Sequence, residues 1–270
     1  MSLQNCLDDT VKSISILSYP EWPCVSAIVN TFERPELLER ALESVLRQSF
    51  GDFEVLVIHD GPPDQATLGV CEVFATLFEA RNIAYRFVAL EENSGYQCVP
   101  KNVATWHARG DYIAYLDDDN EWTDDHLEIL VDAIEEGDTW PDFVYGRREY
   151  VYDKGFVPPK GHKLPKGPTK FVPWTDEAKQ RLATSPSNNF IDTSDMLIAK
   201  GALWRLDMAT ESMWNESLRR FADWELITRG TFFSGWQGKG VDAVVQRYHW
   251  HGKNIQLTRP INETPRQEKR

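Results

Sequence analysis

The chain has 270 residues and a mass of 31.1 kDa, which is enough for one large domain or two small ones with a substantial core. Its net charge of −13 and its pI of about 4.9 argue against a protein that binds the phosphate backbone of nucleic acids, because such proteins carry a basic surface. The same charge disfavours electrostatic docking to an anionic membrane.

The four cysteines are widely spaced and form no Cys-x-x-Cys pair, so the sequence indicates neither a disulfide framework nor a zinc site. The amino terminus lacks a basic stretch followed by an apolar one, and no apolar run approaches the roughly 20 residues that span a bilayer. We therefore expect a soluble, cytoplasmic protein without a transmembrane segment. The oligomeric state stays open.

Apolar strands alternate with helical patterns through the first half of the chain. After an irregular segment over residues 1–23, the sequence predicts strands at 25–29, 53–58, 83–90 and 111–116, and helices at 35–48, 65–80 and 99–108. Continuous apolar strands that alternate with helices are typical of a parallel sheet covered on both faces. Residues 24–150 are therefore predicted to form one α/β half.

The second half, residues 151–270, breaks this rhythm. Residues 153–173 are rich in proline and lysine and predict a long loop, either a lid over a ligand or a surface excursion. Further on, a strand is predicted over 190–199, a helix over 220–229 and a strand over 244–248, before a mildly basic, solvated tail.

Three consecutive aspartates, residues 117–119, end the apolar run of the fourth strand. Adjacent carboxylates repel one another and resist full ionisation unless a cation compensates them. A divalent metal that prefers oxygen ligands, Mg²⁺ or Mn²⁺, is the usual compensating ion. The alternative is a capped helix start, in which Asn120 or Thr123 caps a helix that begins near Asp124.

Polar residues also follow the first two predicted strands. Thr31 and Glu33 come after the first strand, and Asp60 comes after the second. Ligands of open α/β sheets bind beyond the carboxyl ends of the strands, so these groups and the aspartates together indicate one binding site. Taken singly, Asp60 also fits a turn, since Asp-Gly-Pro-Pro is turn-forming, and Thr31 and Glu33 fit a loop that leads to the next helix.

Several segments follow one another in a characteristic order and spacing. They are Thr-Phe-Glu-Arg-Pro at 31–35, the helical run at 39–50, the strand with Asp-Gly at 52–61, Asn-Ser-Gly at 93–95 leading to Lys101-Asn102, and Gly-Asp-Tyr-Ile-Ala-Tyr-Leu-Asp-Asp-Asp at 110–119. Together they resemble a family 2 glycosyltransferase of the GT-A fold, strongly over about residues 24–135 and more weakly beyond.

The resemblance implies an α/β, GT-A fold in one compact domain. A Rossmann-like nucleotide-binding half with a mostly parallel central sheet, residues 24–150, would be joined to a smaller, mixed acceptor-binding half. It also implies which residues bind the donor. Those along the nucleotide would be Thr31, Glu33, Asp60, Lys101 and Asp118. Lys101 stands where the family usually has arginine, so it keeps the charge but loses the bidentate fork.

The resemblance further implies a divalent ion at the diphosphate. Asp119 would hold Mn²⁺ or Mg²⁺, and Asp117 would lie beside the donor sugar. Some family members place a histidine near this ion, and we assign His249 to it. His249 and His251 follow the predicted strand over 244–248, and alternation along a strand puts both on one face.

Transfer of a sugar to an acceptor hydroxyl also calls for a general base that removes the hydroxyl proton. We nominate Asp223, which opens a predicted helix and resembles the family's acidic motif; its rival is Glu225, and its alternative role is a helix N-cap. Asp192 matches a polar position beside the donor sugar. Trp224, next to the proposed base, is the best candidate platform for an acceptor, although most tryptophans are expected in the core.

These assignments predict an inverting, metal-dependent glycosyltransferase. Its donor would be a nucleotide-sugar, most commonly a UDP-sugar in this family, and its acceptor a glycan or another hydroxyl compound; no nucleic-acid partner is expected. One alternative is a nucleotidyltransferase, which would be expected to carry a glycine-rich phosphate loop after the first strand; residues 30–34 contain no glycine. The other is a non-catalytic nucleotide- or sugar-binding protein on the same fold.

Overall fold

The computed structural model describes residues 11–16, 22–158 and 164–251. The strands in this part are β1 (Val11–Ile16), β2 (Val25–Thr31), β3 (Phe53–His59), β4 (Ala84–Leu90), β5 (Tyr112–Asp117), β6 (Glu121–Trp122), β7 (Phe143–Tyr152), β8 (Met196–Ala199) and β9 (Gly238–Trp250). The helices are α1 (Pro35–Leu46), α2 (Gln65–Ala80), α3 (Cys98–His107), α4 (His126–Glu135), α5 (Asp176–Thr184), α6 (Lys200–Thr210) and α7 (Ala222–Phe233). None of the helices in these ranges has the length and apolar composition needed to span a membrane.

The nine strands form one sheet in the order β1-β4-β3-β2-β5-β8-β7-β9-β6. Strands β4, β3, β2 and β5 run parallel to one another. Strand β8 is antiparallel to both β5 and β7, whereas β7 and β9 are parallel. The first half therefore has the parallel sheet that the sequence predicts, and the second half is mixed.

Strands β2 and β3 are buried along their whole length because helices cover both faces of the sheet. Successive side chains of a strand point to opposite faces. Val29 thus packs with α1 and α2 on one face, while its neighbour Ile28 packs with α3, α6 and α7 on the other. With both faces covered, the ends of the parallel strands are where polar side chains can meet a ligand.

Helix α1 begins directly after β2. Pro35 occupies its first turn, where a missing backbone N–H leaves no hydrogen bond unmade. Leu38 and Leu42 recur at helical spacing and are fully buried. This packing holds Arg34, just before the helix, and Arg40, within it, next to the aspartates at the carboxyl end of β5.

The prediction of an irregular segment over residues 1–23 is wrong for residues 11–16. These residues form the edge strand β1, which pairs antiparallel with β4 from Val11 opposite Leu90 to Ile16 opposite Tyr85. Serine and lysine interrupt the apolar residues of this short run, so its strand signal is weak. Pairing with β4, rather than a strong local signal, accounts for this strand.

The predicted strand over 190–199 is shorter in the structure. Only its last four residues form a strand, β8, because Thr193–Asp195 forms a 3₁₀ turn. The Asp192 side chain accepts a hydrogen bond from the backbone of Ser194, and the Asp195 side chain accepts one from the backbone of Asp192. This reciprocal capping stabilises a turn in place of extended chain.

The helix after the aspartates also begins differently from the prediction. Helix α4 starts at His126, and neither Asn120 nor Thr123 caps it; its N-cap, Asp125, makes no side-chain capping hydrogen bond. The Asn120 side chain instead accepts a hydrogen bond from the backbone N–H of His249, at 3.2 Å. The capped-helix alternative therefore does not account for the acidic strand end.

Residues 153–158 and 164–173, here called the strap, contain no helix or strand. The strap returns along β7: Thr169 N donates to Arg148 O at 2.8 Å, and the Tyr145 hydroxyl donates to Val172 O at 2.6 Å. At its start, the backbone N–H of Asp153 donates to Trp250 O at 3.1 Å. The described parts of the predicted loop therefore lie against the sheet.

Gly110, which precedes β5, allows a test of this packing. A Cβ atom at this position would lie 2.5 Å from the backbone nitrogen of Ser26. Gly110→Ala is therefore expected to lower the free energy of unfolding by about 1–3 kcal/mol, measured by urea denaturation. Gly51→Ala is the control, because a Cβ there meets nothing within 4 Å. Equal stability of the two variants would contradict the close approach of this turn to β2.

Candidate active site

The carboxyl ends of β2, β3 and β5 bring the predicted polar residues to one edge of the sheet. In the register of the parallel strands, Asn30 of β2 lies beside Asp117 of β5, and Thr31 lies beside His59 of β3. Asp60 follows His59 directly, so it lies at the same edge. The polar groups that the sequence singles out after these three strands are therefore neighbours.

Asp118 is fully buried at this edge. Its carboxylate accepts a hydrogen bond from the Thr31 hydroxyl at 2.7 Å and from Arg34 Nε at 3.1 Å, and it forms an ion pair with the same guanidinium. Burial raises the pKa of Asp118 to about 7, against the lowering effects of Arg34 and Thr31. Arg34, which the sequence analysis did not assign to the site, is thus the cation that holds this carboxylate.

Asp119 faces a histidine, and this histidine is His251 rather than His249. The Asp119 carboxylate lies 3.2 Å from His251 Nε2 and 3.4 Å from Arg34 Nη1. Burial alone would raise the pKa of Asp119; the hydrogen bond with His251 and the charge of Arg34 outweigh it, so the pKa is lowered. A carboxylate that stays ionised suits a cation site.

His249, the histidine that we assigned to the metal, is engaged elsewhere. Its Nδ1 lies 2.6 Å from Asp153 Oδ1, at the start of the strap, and its Nε2 lies 3.5 Å from Glu121 Oε1. Strand alternation places both histidines on one face, but it does not say which of them reaches Asp119.

The protein groups available to a divalent ion at this edge are the Asp119 carboxylate and the His251 imidazole. No group of three or more candidate metal ligands occurs among the residues that the structure describes. Mg²⁺ and similar ions are commonly bound by one or two carboxylates together with substrate phosphates. One ionised carboxylate beside an imidazole nitrogen therefore fits an ion that is completed by a diphosphate.

Lys101 contacts Asp117, the first residue of the aspartate cluster. Its side chain is fully buried, with Nζ 3.0 Å from Asp117 Oδ1 and 2.8 Å from Gln97 Oε1, above the ring of Trp214. Burial raises the pKa of Asp117, and the Lys101 charge opposes this effect. The ammonium group is surrounded by these partners, so in this structure Lys101 orients Asp117 and a direct contact with a nucleotide stays a prediction.

Asp60 is held by the Asn93–Ser94 segment. Its Oδ1 accepts a hydrogen bond from Ser94 N at 2.8 Å, and its backbone carbonyl accepts one from Asn93 Nδ2 at 2.7 Å. Glu33 adopts a left-handed backbone conformation with φ of 51°, and its backbone N–H points to His59 Nε2 at 3.4 Å. The two sequence motifs after β2 and β3 are thus joined into one rim.

Asp223 lies in the first turn of α7, in the second half of the chain. Phe221 is the N-cap, so the N-cap alternative for Asp223 is wrong. Asn189 Nδ2 donates to Asp223 Oδ2 at 2.8 Å. Burial, reinforced by the charge of Asp192, raises the pKa of Asp223 to about 6. The rival base Glu225 is instead paired with Arg229 at 2.8 Å.

Arg148 links Asp192 to the buried Asp195. Its Nη1 lies 3.0 Å from Asp192 Oδ2, and its Nε lies 3.1 Å from Asp195 Oδ2. Between these acids, Ser194 Oγ accepts a hydrogen bond from the backbone N–H of Asp117 at 3.1 Å. Sequence reasoning found Asp192 but missed Arg148 and Asp195, because no local pattern marks a charge pair 47 or 44 residues apart.

The segment that contains Asn189 and Ser194 connects the two halves of the site, because Ser194 contacts the backbone of Asp117 and Asn189 contacts the side chain of Asp223. The charges of Lys101 and Asp192 influence the pKa of both Asp117 and Asp223. Trp224 is half-buried and its indole N–H donates to Leu182 O at 2.7 Å, so it braces α7 against α5. Its role as an acceptor platform stays a prediction.

The family model for glycosyl transferase family 2 matches residues 26–206, which is more than half of the chain. The chain belongs to glycosyltransferase family 2. The match covers both the parallel half of the sheet and the turn that carries Asp192 and Asp195.

Two curated relatives of this family 2 glycosyltransferase chain come from bacteria. It is 32% identical over 109 residues to the putative colanic acid biosynthesis glycosyl transferase WcaA of Escherichia coli, covering 40% of this chain and 37% of that protein. It is 34% identical over 114 residues to the putative teichuronic acid biosynthesis glycosyltransferase TuaG of Bacillus subtilis, covering 42% and 43%. The chain thus spans less than half the length of these two relatives.

Solved structures of similar fold include Staphylococcus aureus TarS 1–349 in complex with UDP-GlcNAc, with a TM-score of 0.63 and 19% identity over 88% of this chain and 61% of that one. Another is the mannosyltransferase PcManGT from Pyrobaculum calidifontis in complex with GDP-Man and Mn²⁺, with a TM-score of 0.58 and 16% identity over 88% and 59%. These likenesses confirm the predicted GT-A fold.

The Arg148 ion pairs predict a large effect on stability. Arg148→Met would leave Asp192 and the buried Asp195 without their cation, which is expected to cost about 3–5 kcal/mol of unfolding free energy in urea denaturation. The control is Arg205→Met, which removes an exposed arginine that pairs with Asp142 and is expected to cost about 1 kcal/mol or less. A loss in Arg148→Met no larger than in the control would contradict a structural role for this pair.

Proposed function

We propose that the protein transfers a sugar from a nucleotide-sugar, with UDP-sugars the first candidates, to a hydroxyl group of a glycan or another acceptor. The transfer would invert the anomeric carbon and would be assisted by Mn²⁺ or Mg²⁺. The observation that carries the proposal is that one segment contacts both acidic regions: Ser194 accepts a hydrogen bond from the backbone of Asp117, in the aspartate cluster, and Asn189 donates one to Asp223. Membership of glycosyltransferase family 2 supports it.

The donor would lie along the carboxyl ends of β2, β3 and β5. Asp60, oriented by Asn93 and Ser94, would accept a hydrogen bond from an N–H group of the base. Uracil and guanine both present such a group on their pairing edge, in agreement with the UDP-GlcNAc and GDP-Man complexes of the structural neighbours. Thr31 and Asp118 would lie along the ribose, and Asp117 beside the sugar.

Asp119 and His251 would hold the divalent ion. When bound, the ion would neutralise the negative charge that develops on the diphosphate leaving group. Arg34, 3.4 Å from Asp119, places a fixed positive charge at the same edge. Because a carboxylate binds a cation in its ionised form, Asp119 would have to stay ionised during binding. The lowered pKa of this carboxyl agrees with that requirement.

Asp223 would act as the general base. A pKa of about 6 leaves its carboxylate ionised at neutral pH yet able to accept the proton of the acceptor hydroxyl. Asn189 donates to Oδ2 of this carboxylate and fixes its orientation. Attack by one activated hydroxyl on the side opposite the diphosphate would give a single displacement, and therefore inversion.

Nucleotide binding gives the first test. UDP, GDP and dTDP are titrated calorimetrically with and without Mn²⁺. UDP is expected to bind far more tightly with Mn²⁺ than without it, and this Mn²⁺-dependent binding is expected to be lost in Asp119→Ala. Asp124→Ala is the control, because this nearby carboxylate is exposed and pairs with Arg47 on the surface. If none of the three nucleotides binds to the folded wild type, the transferase proposal fails.

The proposed base gives a second test. In Asp223→Asn, sugar transfer, or slow hydrolysis of a UDP-sugar with water as acceptor, is expected to fall about 10²–10⁴-fold while Mn²⁺-dependent UDP binding is retained. Because the base works as a carboxylate, wild-type kcat/KM should fall as the pH drops through about 6, and the remaining activity of the variant should lack this dependence. Glu225→Gln, which alters the rival carboxylate, is the matched comparison.

Three outcomes would contradict this assignment. Unchanged activity in Asp223→Asn would exclude it as the base, and a larger loss in Glu225→Gln at intact stability would favour the rival. Mn²⁺-dependent UDP binding without transfer or hydrolysis of any UDP-sugar would favour the non-catalytic alternative.

A further inference from the structure

Arg40 of α1 is not among the residues assigned to the site above, yet its guanidinium contacts the backbone of one of them, Asp119. Its Nη2 donates to the backbone carbonyl of Asp119 at 3.0 Å, and its Nη1 donates to Asp153 Oδ2 at 3.0 Å. Its Nε lies 3.6 Å from Glu121 Oε1. One guanidinium therefore contacts three segments: the end of the aspartate cluster, β6 and the start of the strap.

Asp153 is the first residue of the strap and is anchored on several sides. Its Oδ1 lies 2.6 Å from His249 Nδ1, and its Oδ2 accepts from Arg40. Its backbone N–H donates to Trp250 O at 3.1 Å, and its carbonyl accepts from Phe156 N at 2.9 Å. The position of the start of the strap is thus tied to β9 and to Arg40.

The chemistry of arginine suits this double contact. A guanidinium presents several N–H donors in a rigid plane, whereas a lysine ammonium is a single point charge on a flexible stem. The side chain is mostly buried, at 22% exposure, and rises from a helix whose apolar face packs into the core. Arg40 can therefore hold the Asp119 backbone and the Asp153 carboxylate at a constant separation.

We propose that Arg40 is a positioning residue that couples the metal-holding segment at Asp119 to the strap. This inference rests on the proposed function, because it assigns Asp119 to the divalent ion. Binding of nucleotide and metal at Asp119 is then linked to the position of Asp153, so the strap responds to occupation of the donor site. His249 acts in the same unit as the partner of Asp153, rather than as a metal ligand.

Loss of Arg40 has two consequences. The carbonyl of Asp119 loses its donor, and Asp153 and Glu121 lose the cation that lies between them. Residues that orient a metal ligand without touching the metal typically contribute about 10–100-fold to metal affinity. The contacts to the nucleotide proposed for Asp60 and Thr31, away from the ion, would not involve Arg40, whose partners are Asp119, Asp153 and Glu121.

The test is the affinity for UDP in the presence of Mn²⁺ and in the presence of EDTA, measured by calorimetry on the full chain. Arg40→Gln is expected to weaken Mn²⁺-dependent UDP binding by about 10–100-fold and to leave the weak metal-free binding unchanged. Arg40→Lys is expected to restore part of the loss, because lysine can reach one of the two acceptors at a time.

Arg47→Gln is the matched control. Arg47 lies at the end of the same helix and also approaches Glu121, at 4.0 Å, but its close partner is the exposed Asp124 at 3.1 Å. It contacts neither Asp119 nor Asp153 in the described part of the chain. The control therefore removes the same charge from the same helix without breaking the proposed link.

The coupling itself is read from hydrogen exchange of the backbone. In the wild type, UDP with Mn²⁺ is expected to slow exchange of the amides of Asp153 and Phe156, which donate to Trp250 and to Asp153 itself. This slowing should disappear in Arg40→Gln at UDP concentrations that saturate the variant. Asp153→Asn should weaken Mn²⁺-dependent binding as well, and the effect of Arg40→Gln should be smaller in that background.

The outcomes separate this inference from the proposed function. Absence of UDP binding in the wild type contradicts the proposed function and the coupling with it. If the wild type binds UDP, but Arg40→Gln and Arg47→Gln bind it with the same affinity, only the coupling is contradicted. If Arg40→Gln loses the same factor in UDP affinity with Mn²⁺ and with EDTA, the coupling is also contradicted, because Arg40 would then be a general structural residue.

Discussion

The pairing of buried and partly buried carboxylates with cations is the constraint on which the rest of this site depends. An ion taken out of water costs several kcal/mol unless a partner and hydrogen bonds compensate it. The aspartates at the sheet edge therefore need cations from other elements. The pairs are Asp117 with Lys101 of α3, Asp118 with Arg34 of the β2–α1 turn, and Asp192 and Asp195 with Arg148 of β7. Because each pair joins two separate elements, the carboxylates and the fold stabilise one another.

The change from parallel to antiparallel pairing in the sheet explains how the second half reaches the same edge. Strand β8 runs antiparallel to β5, so its beginning lies beside the end of β5. The turn Thr193–Asp195 directly precedes β8, and its Ser194 accepts a hydrogen bond from the backbone of Asp117. Asn189, a few residues earlier, holds Asp223. A single reversal of direction thus brings the proposed base to the parallel half of the sheet, where the donor is proposed to bind.

Sequence reasoning was accurate where local pattern and tertiary environment agree. In the parallel half, apolar runs such as 53–58 and helical spacing such as 65–80 correspond closely to β3 and α2, because both faces of the sheet are buried. It was less accurate where one polar residue redirects the chain. Asp192 and Asp195 cap a three-residue turn in the middle of a predicted strand, so that only its last four residues are extended. Strand alternation likewise identified a histidine pair but could not choose His251 as the neighbour of Asp119.

The sequence by itself determined the α/β alternation, the acidic end of β5, the polar ends of β2 and β3, and the resemblance to family 2 glycosyltransferases, since each depends on spacing along the chain. Only the tertiary structure decided which cation meets which acid. Arg34 and Asp118 are 84 residues apart, and Arg40 and Asp153 are 113 apart. Such pairs leave no periodic signal, because what selects them is the distance across the folded sheet and the cost of burying a charge alone.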